Sequence, residues 1–334
     1  MAWKGLHEGS VRCLRTLRGS GYAAYPVGGC VRDLLLGREP GDVDVCTAAR
    51  PEQVMALFDR AVPTGLPHGT VTVPTDTGNV EITTFRREGG YADARHPDTV
   101  SFDAGLREDL SRRDFTVNAM ALEEDGRVID PFGGREDLKR KLIRCVGDPD
   151  RRFSEDALRM FRALRFCAQL GFTTDQATFA AIGRNAHLAE KVSRERIRVE
   201  MEKTLLSPVP EEISEMISVG LLEHLYVFSE GRFLRERLHE ELRPLPATAK
   251  DRWRGFCEVT GFPISALPVE RALRRAVEHP ELELIPTLAL KPADLMALGL
   301  EGPEISETQR RLAAYVLEHP GENTREVLRA HLGI

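Results

Sequence analysis

YPVGGCVRDLLLGREPGDVDVC, residues 25–46, decides the reading of this chain. A short apolar run at 23–27 reads as a strand, Gly28 and Gly29 break it, and the stretch 30–36 reads as a helix. Glycines at a strand-to-helix turn let backbone N–H groups approach a phosphate closely, and the start of the following helix favours an anion. Arg32 lies one turn into that helix, within reach of the same anion. In GDVDVC, the two-residue period of a strand puts Val43 and Val45 on one side and Asp42 and Asp44 on the other. Carboxylates side by side repel, and a half-buried pair calls for a cation. Mg²⁺ takes a few carboxylates together with phosphate oxygens, which suits such a pair. Each half alone also has an ordinary explanation, a tight turn with a surface arginine and a solvated edge strand. In combination they are what metal-assisted phosphoryl transfer requires: one part grips the phosphates and the other positions the metals.

Upstream, Val11, Leu14 and Leu17 recur at helical spacing, and the Gly19-Ser20-Gly21 cluster ends that helix. Downstream, β-rich runs at 43–46, 70–73, 80–85, 127–129 and 142–146 alternate with a further helix at 51–58. Within NVEITTFR, Glu81 is flanked by Val80 and Ile82 on the opposite face, so it is either a third catalytic carboxylate or an exposed strand glutamate. After Gly147 the pattern changes: Phe153, Ala157, Phe161, Leu164 and Ala168 recur at three- and four-residue steps, and the remainder reads nearly all α. Proline and small residues interrupt it at 207–210 and 244–249. The chain therefore divides into a head, 1–147, a helical neck, 148–206, and a helical body and tail, 207–334.

Five ordered motifs now coincide. GGCVRD followed by GDVDV resembles the head of the class II, bacterial CCA tRNA nucleotidyltransferase and poly(A) polymerase family, within the polymerase β superfamily. RRDFTVNAMAL (112–122), DPFGGREDLKRKLIRCVGDP (130–149) and SEDALRMFRALRFCAQLGF (154–172) resemble that family's second motif, connecting segment and nucleotide-selecting helix. The match covers roughly residues 20–206. It implies an α+β fold: a polymerase β-like nucleotidyltransferase head, a mixed sheet with helices, followed by an all-α neck, body and tail, seahorse-like, with tRNA along the α part. It implies addition of CMP and AMP to the tRNA 3′ end without a template, from CTP and ATP, with two Mg²⁺ ions. Position by position, the resemblance assigns Asp42 and Asp44 to metal, Gly29 and Arg32 to nucleotide binding, and Arg113, Asp156, Arg159, Arg162 and Arg165 to the incoming nucleotide; Gly28 joins the nucleotide-binding residues from the glycine turn itself. Asn118, on a helix expected through RRDFTVNA, is either a sugar contact or a structural hydrogen bond.

Asp156 and Arg159, three residues apart on one expected helix, share a face. An aspartate accepts and an arginine donates. Cytosine and adenine each show an amino donor beside a ring-nitrogen acceptor, so one pair complements both, whereas uracil and guanine present the reverse polarity and leave buried groups unpaired, at about 1–3 kcal/mol each. The other reading of the pair is an intrahelical salt bridge. Residues 88–102, containing RHPD, have little apolar periodicity and are expected as a mobile loop, with His96 a loop residue rather than a metal ligand. In the family such a loop supports full CCA addition. Arg194, Arg196 and Arg198 in SRERIRVEMEK are either a solvated helix face or contacts to RNA phosphate. Tyr226, Phe228, Trp253 and Phe256 are either core aromatics or base-stacking platforms. The tail is short for the family.

The 334 residues carry a net charge of −6, with 42% hydrophobic and 29% charged residues, so RNA binding has to rest on local clusters of Arg and Lys. The six cysteines show no zinc-ligand spacing and fit reduced thiols, and no apolar stretch is long enough for a membrane span. The expected partners are tRNA, at its acceptor arm and 3′ end, and nucleoside triphosphates, in the cytoplasm and without a membrane. An A-adding or CC-adding enzyme, a poly(A) polymerase and, in a different class, a non-catalytic RNA-binding protein of the same fold are the alternatives.

Overall fold

The computed structural model describes residues 3–90, 99–228 and 233–334. They form two compact units, Met1–Val227 and Phe228–Ile334, each described by itself. In the first unit the strands are β1 (Ala24–Val27), β2 (Val43–Thr47), β3 (Val62–Gly65), β4 (Thr70–Thr75), β5 (Gly78–Thr84), β6 (Arg87–Gly89), β7 (Thr99–Ser101), β8 (Ala121–Leu122), β9 (Val128–Ile129), β10 (Leu142–Ile143) and β11 (Thr173–Thr174). Its helices are α1 (Glu8–Gly19), α2 (Gly29–Leu35), α3 (Pro51–Leu57), α4 (Leu106–Ser111), α5 (Gly134–Arg140), α6 (Pro149–Glu155), α7 (Leu158–Leu170), α8 (Gln176–Asn185), α9 (Arg194–Leu205) and α10 (Ile213–Ser218).

A mixed sheet in the order β3-β4-β5-β2-β1-β8-β9 organises the head. Its pairs are antiparallel except β2 and β5, which run parallel. Alternation gives the sheet two faces. Val43, Val45, Val71, Val73, Val80 and Ile82 point to one side and are buried, and Leu14 and Leu17 of α1 are fully buried as well. Burying a side chain of this size contributes roughly 1.5–3 kcal/mol. The opposite face carries Asp44 and Glu81, and farther along it Val27 and Cys46 join Phe85, Leu110 and Ala121 in a second core.

Two expected helices differ. Phe153, Ala157, Phe161, Leu164 and Ala168 are all buried as their spacing requires. They are divided between two helices, however, with Ala157 at the cap of the second, because Asp156 between α6 and α7 has extended backbone, φ −147° and ψ 104°. The stretch 112–118 is not a continuous helix either. Arg113 sits in the turn after α4, and Asn118 closes a single 3₁₀ turn, Thr116–Asn118. Backbone pairing with the segment around Arg144 and Val146 claims this stretch: Thr116 N–H donates to Arg144 C=O at 2.9 Å, Val146 N–H to Asp114 C=O at 3.1 Å, and Phe115 bridges Cys145.

The second unit is built from α11 (Leu234–Leu242), α12 (Ala249–Thr260), α13 (Arg271–Glu278), α14 (Pro292–Ala297), α15 (Pro303–Glu318) and α16 (Arg325–Leu332). Trp253 and Phe256 are fully buried and meet edge to face at 6.0 Å, so they are core residues rather than base-stacking platforms. Leu288, Leu290, Leu295, Leu312, Val316 and Leu328 form a further core. No helix among the described residues is long and apolar enough to cross a membrane.

Candidate active site

A cleft of about 720 Å³ opens over the polar face of the sheet. Asp44 on β2 stands directly opposite Glu81 on β5, and exposed Asp42 precedes Asp44 by two residues on the approach to β2. Burial raises the Asp44 carboxyl above the usual carboxylate range; the Arg113 guanidinium pulls it down and Asp42 adds to the rise. Glu81 is exposed at the cleft surface, as the strand-glutamate reading had it, yet its carboxyl is raised too, by partial desolvation and then by Asp44 and Asp42. These groups resist ionising together, the condition a cation relieves. Among the described residues no group of three His, Cys, Asp or Glu side chains could hold a metal by itself.

The glycine turn shapes the next wall. Gly28 has φ +76°, and a Cβ built there would lie 3.0 Å from Arg113 Nη1 and 3.5 Å from Asp44 Oδ2. The backbone therefore favours glycine, and a side chain there would also press on the end of Arg113. Gly29 then opens α2, which carries Arg32 into the cleft. Arg32 donates to both carboxylate oxygens of Asp33, at 2.9 and 3.1 Å, and to Asn118 Oδ1 at 2.8 Å. Asn118 Nδ2 donates to Asp114 Oδ1 at 3.2 Å, and Asp114 Oδ2 accepts from Arg162 Nε at 2.9 Å and Nη2 at 2.5 Å. A continuous chain of hydrogen bonds thus ties α2 to α7. Burial alone would raise Asp114, but Arg162, Asn118 and the Phe115 N–H hold it down to about 2.

Phe166 is the pivot of the basic wall. The guanidinium carbons of Arg165, Arg162 and Arg32 lie 3.9, 5.2 and 5.3 Å from its ring centroid. Arg165 also pairs with Glu200 of α9 and donates to Gln169 at 2.6 Å. Arg113 leans on buried Asp109, 3.4 Å away, and its buried Nε has no hydrogen-bond partner. Asp109 is held below the usual range because Arg112 and Arg113 outweigh its burial. Arg32, Arg113, Arg162 and Arg165 face the cleft together with five carboxylates, Asp33, Asp42, Asp44, Glu81 and Asp114.

Of the residues expected at the site, Gly28, Gly29, Arg32, Asp42, Asp44, Glu81, Arg113, Asn118, Arg162 and Arg165 line one cleft. Asp156 and Arg159 are not among its lining residues, and they do not share a helical face. Asp156 accepts from Arg196 Nη2 at 2.9 Å and from the Leu158 N–H at 3.1 Å. Arg159 donates to Glu155 at 3.0 Å and to the Arg112 C=O at 3.1 Å. Arg198 pairs within its own helix with Glu202, 3.3 Å away. Residues 91–98, which contain RHPD and His96, lie outside the described residues; β6 and β7 flank them. Sequence reasoning passed over Asp33, Asp114, Phe166, Thr64, Thr72 and Asn79. Asp114 was signalled by its place in RRD, and Phe166 by standing four residues after Arg162 on the same helix.

The fold and this cleft define a nucleotidyltransferase head. Residues 24–144 match the family described as "Poly A polymerase head domain", and 171–228 match "Probable RNA and SrmB- binding site of polymerase A". The CCA-adding enzyme of Geobacillus thermodenitrificans is 41% identical over 337 residues, covering 92% of this chain and 83% of that relative. Further relatives of the same name align over 53–62% of their own length. The crystal structure of the Bacillus stearothermophilus CCA-adding enzyme in complex with CTP is 33% identical, with a TM-score of 0.62, covering 95% of this chain and 94% of that one. A tRNA nucleotidyltransferase complexed with a primer tRNA and an incoming ATP analog is 25% identical, with a TM-score of 0.66, covering 96% of this chain and 97% of that one. This chain belongs to the CCA-adding enzyme family.

Proposed function

We propose that this chain adds CMP and AMP, taken from CTP and ATP, to the tRNA 3′ end and so completes the CCA terminus without a template, in the cytoplasm. The observation that carries the reading is the opposition of Asp44 and Glu81 beneath a wall of four arginines. The lining carboxylates outnumber the guanidiniums five to four, so a polyanionic triphosphate needs cations to enter with it. Asp42 and Asp44 would hold Mg²⁺, two ions in all, with Glu81 beside them. Mg²⁺ completes its shell from water and substrate phosphate, which accords with a site that lacks a full protein ligand set. When bound, the ions supply charge neutralisation at the α-phosphate and activation of the attacking hydroxyl.

The rest of the work falls to the chain. Arg32, Arg113, Arg162 and Arg165 receive the triphosphate, and Gly28 and Gly29 let it approach the backbone. The RNA 3′ hydroxyl gives up its proton to solvent and its oxygen bonds to the α-phosphorus as the α–β anhydride bond breaks, and pyrophosphate leaves toward the arginines. Asp156 and Arg159 discriminate bases by exchanging their present partners, Arg196 and Glu155, for the Watson–Crick edge of cytosine or adenine. Catalysis belongs to 1–147, nucleotide selection to 148–206 and tRNA binding to 207–334, with Arg194, Arg196 and Arg198 near the RNA.

Three tRNA transcripts, ending before CCA, after CC and after CCA, incubated with Mg²⁺ and CTP, ATP or both, test the proposal at single-nucleotide resolution. Completion of the first with no extension of the third is the expected result. A-addition confined to the CC-ended transcript makes it an A-adding enzyme, arrest after CC a CC-adding one, and long A tails a poly(A) polymerase. No pyrophosphate release under any condition makes it a non-catalytic binder.

A further inference from the structure

The cleft has two unlike walls. A single row of in-register residues crosses the sheet: Thr72 on β4, Glu81 on β5, Asp44 on β2 and Val27 on β1. Directly opposed residues send their side chains to the same face. At the β1 end the row is closed, because Val27 is 1% exposed and packs into the core with Leu110 and Ala121. Arg113 and Arg32 stand on this side, since Arg113 Nη1 lies 3.0 Å from a Cβ built at Gly28, the residue after Val27, and Arg32 is carried by α2, which begins at Gly29; Asn118 and Asp114 link Arg32 to Arg162. Beyond Glu81 the row stays open and changes chemistry. Thr72 is half-buried, Thr64 is exposed, and their hydroxyl oxygens are 2.8 Å apart. Asn79, two residues before Glu81 on β5, turns to the same face. Among the described residues lining this side there is no Arg or Lys.

We infer that Thr72, with Thr64 and Asn79, holds the terminal ribose of the RNA acceptor. The inference rests on the nucleotide-addition reading above. In-line displacement puts the attacking oxygen and the departing pyrophosphate on opposite sides of the α-phosphorus. Pyrophosphate carries the charge and goes with the guanidiniums. The acceptor's terminal ribose, neutral and bearing adjacent 2′ and 3′ hydroxyls, then lies against the wall beyond Glu81. Hydroxyl and amide side chains both donate and accept, which matches a diol. A contact to the ribose also suits an acceptor whose last base changes with each addition while its diol stays the same.

The test is steady-state CMP addition to a tRNA lacking CCA, by the wild-type chain, Thr72→Val, Thr72→Ser and Asn79→Ala, with acceptors carrying or lacking the terminal 2′ hydroxyl. Valine suits a strand, and serine restores the hydroxyl. Thr72→Val should raise the acceptor KM about five- to tenfold and leave the CTP KM within about twofold. Removing the 2′ hydroxyl should penalise the wild type and Thr72→Ser and add nothing further in Thr72→Val, with Asn79→Ala raising the acceptor KM in the same direction. A 2′-deoxy penalty undiminished in both Thr72→Val and Asn79→Ala, or a CTP KM that rises in step with the acceptor KM, overturns the inference. If the wild-type chain adds no CMP, the functional reading fails and takes this inference with it; if it adds CMP while these variants behave as wild type, this inference alone fails.

Discussion

Asp44 and Glu81 face each other across the one parallel pair in the head sheet, and desolvation lifts both carboxyl groups above their ordinary range. An ionised carboxylate in such a place opposes folding, so Asp44→Asn should abolish nucleotide addition while raising the melting temperature of the first unit by about 2–4 °C at neutral pH. Calorimetry beside a CMP-addition assay checks it. A lowered melting temperature would contradict the assigned electrostatics.

The same shifts set a pH dependence. A carboxyl raised on folding contributes stability below its unfolded pKa and loses that contribution as pH rises through the higher folded value. Stability without metal should therefore fall as pH climbs out of the ordinary carboxylate range, and the Asp44→Asn, Glu81→Gln double variant should flatten that fall. Mg²⁺ at neutral pH should raise the melting temperature of the wild type and leave the double variant unmoved.

Asp114 shows the opposite sign. Held down to about 2 by Arg162 and its other donors against the effect of burial, it contributes stability above its unfolded pKa of 3.8 and loses it as pH falls toward 2. Asp114→Ala should destabilise the first unit by about 3 kcal/mol, since Arg162 is left without its carboxylate yet keeps part of its surface in water. Urea unfolding at pH 7 measures this.

Gly28→Ala places a methyl 3.0 Å from Arg113 Nη1 on a backbone with positive φ. With ψ −135° the residue lies outside the left-handed helical well, and a cost of about 1–3 kcal/mol is expected from the backbone alone. The KM for CTP and for ATP should rise together, because displacement of Arg113 acts on the triphosphate and not on the base.

Arg196→Met removes the partner of Asp156 and leaves the cleft lining untouched. Both members of the pair keep only about a fifth to a quarter of their surface exposed, so losing the charged hydrogen bond should cost about 1–3 kcal/mol. Because Asp156 has to give up Arg196 before it can meet the base, the ratio of CMP to UMP incorporation should hold or rise, which competition between CTP and UTP would reveal.

Much of the head was legible because its signals are local. Val43 and Val45 alternate with Asp42 and Asp44, Val80 and Ile82 bracket Glu81, and Gly28 breaks strand from helix, so β1, α2, β2 and β5 followed from neighbours in sequence. Residues 112–118 did not follow, because their backbone partners around Arg144 and Val146 are remote in sequence and override a helical pattern. The break at Asp156 was concealed by Phe153, Ala157 and Phe161, whose spacing continues across it; its signal was an aspartate just ahead of an apolar run, and its carboxylate indeed accepts from the Leu158 N–H. Thr72 lay on an expected strand, but which face it shared depended on a register that only the assembled sheet displays.

The parallel junction of β2 and β5 has one more consequence. Its strands are separated in the chain by α3 and the β3–β4 excursion, so the two carboxylates become neighbours only after that whole segment has folded back. A chain in which that segment has not folded back does not hold Asp44 and Glu81 side by side, so on the nucleotide-addition reading proposed above it lacks the carboxylate pair on which a cation would rest.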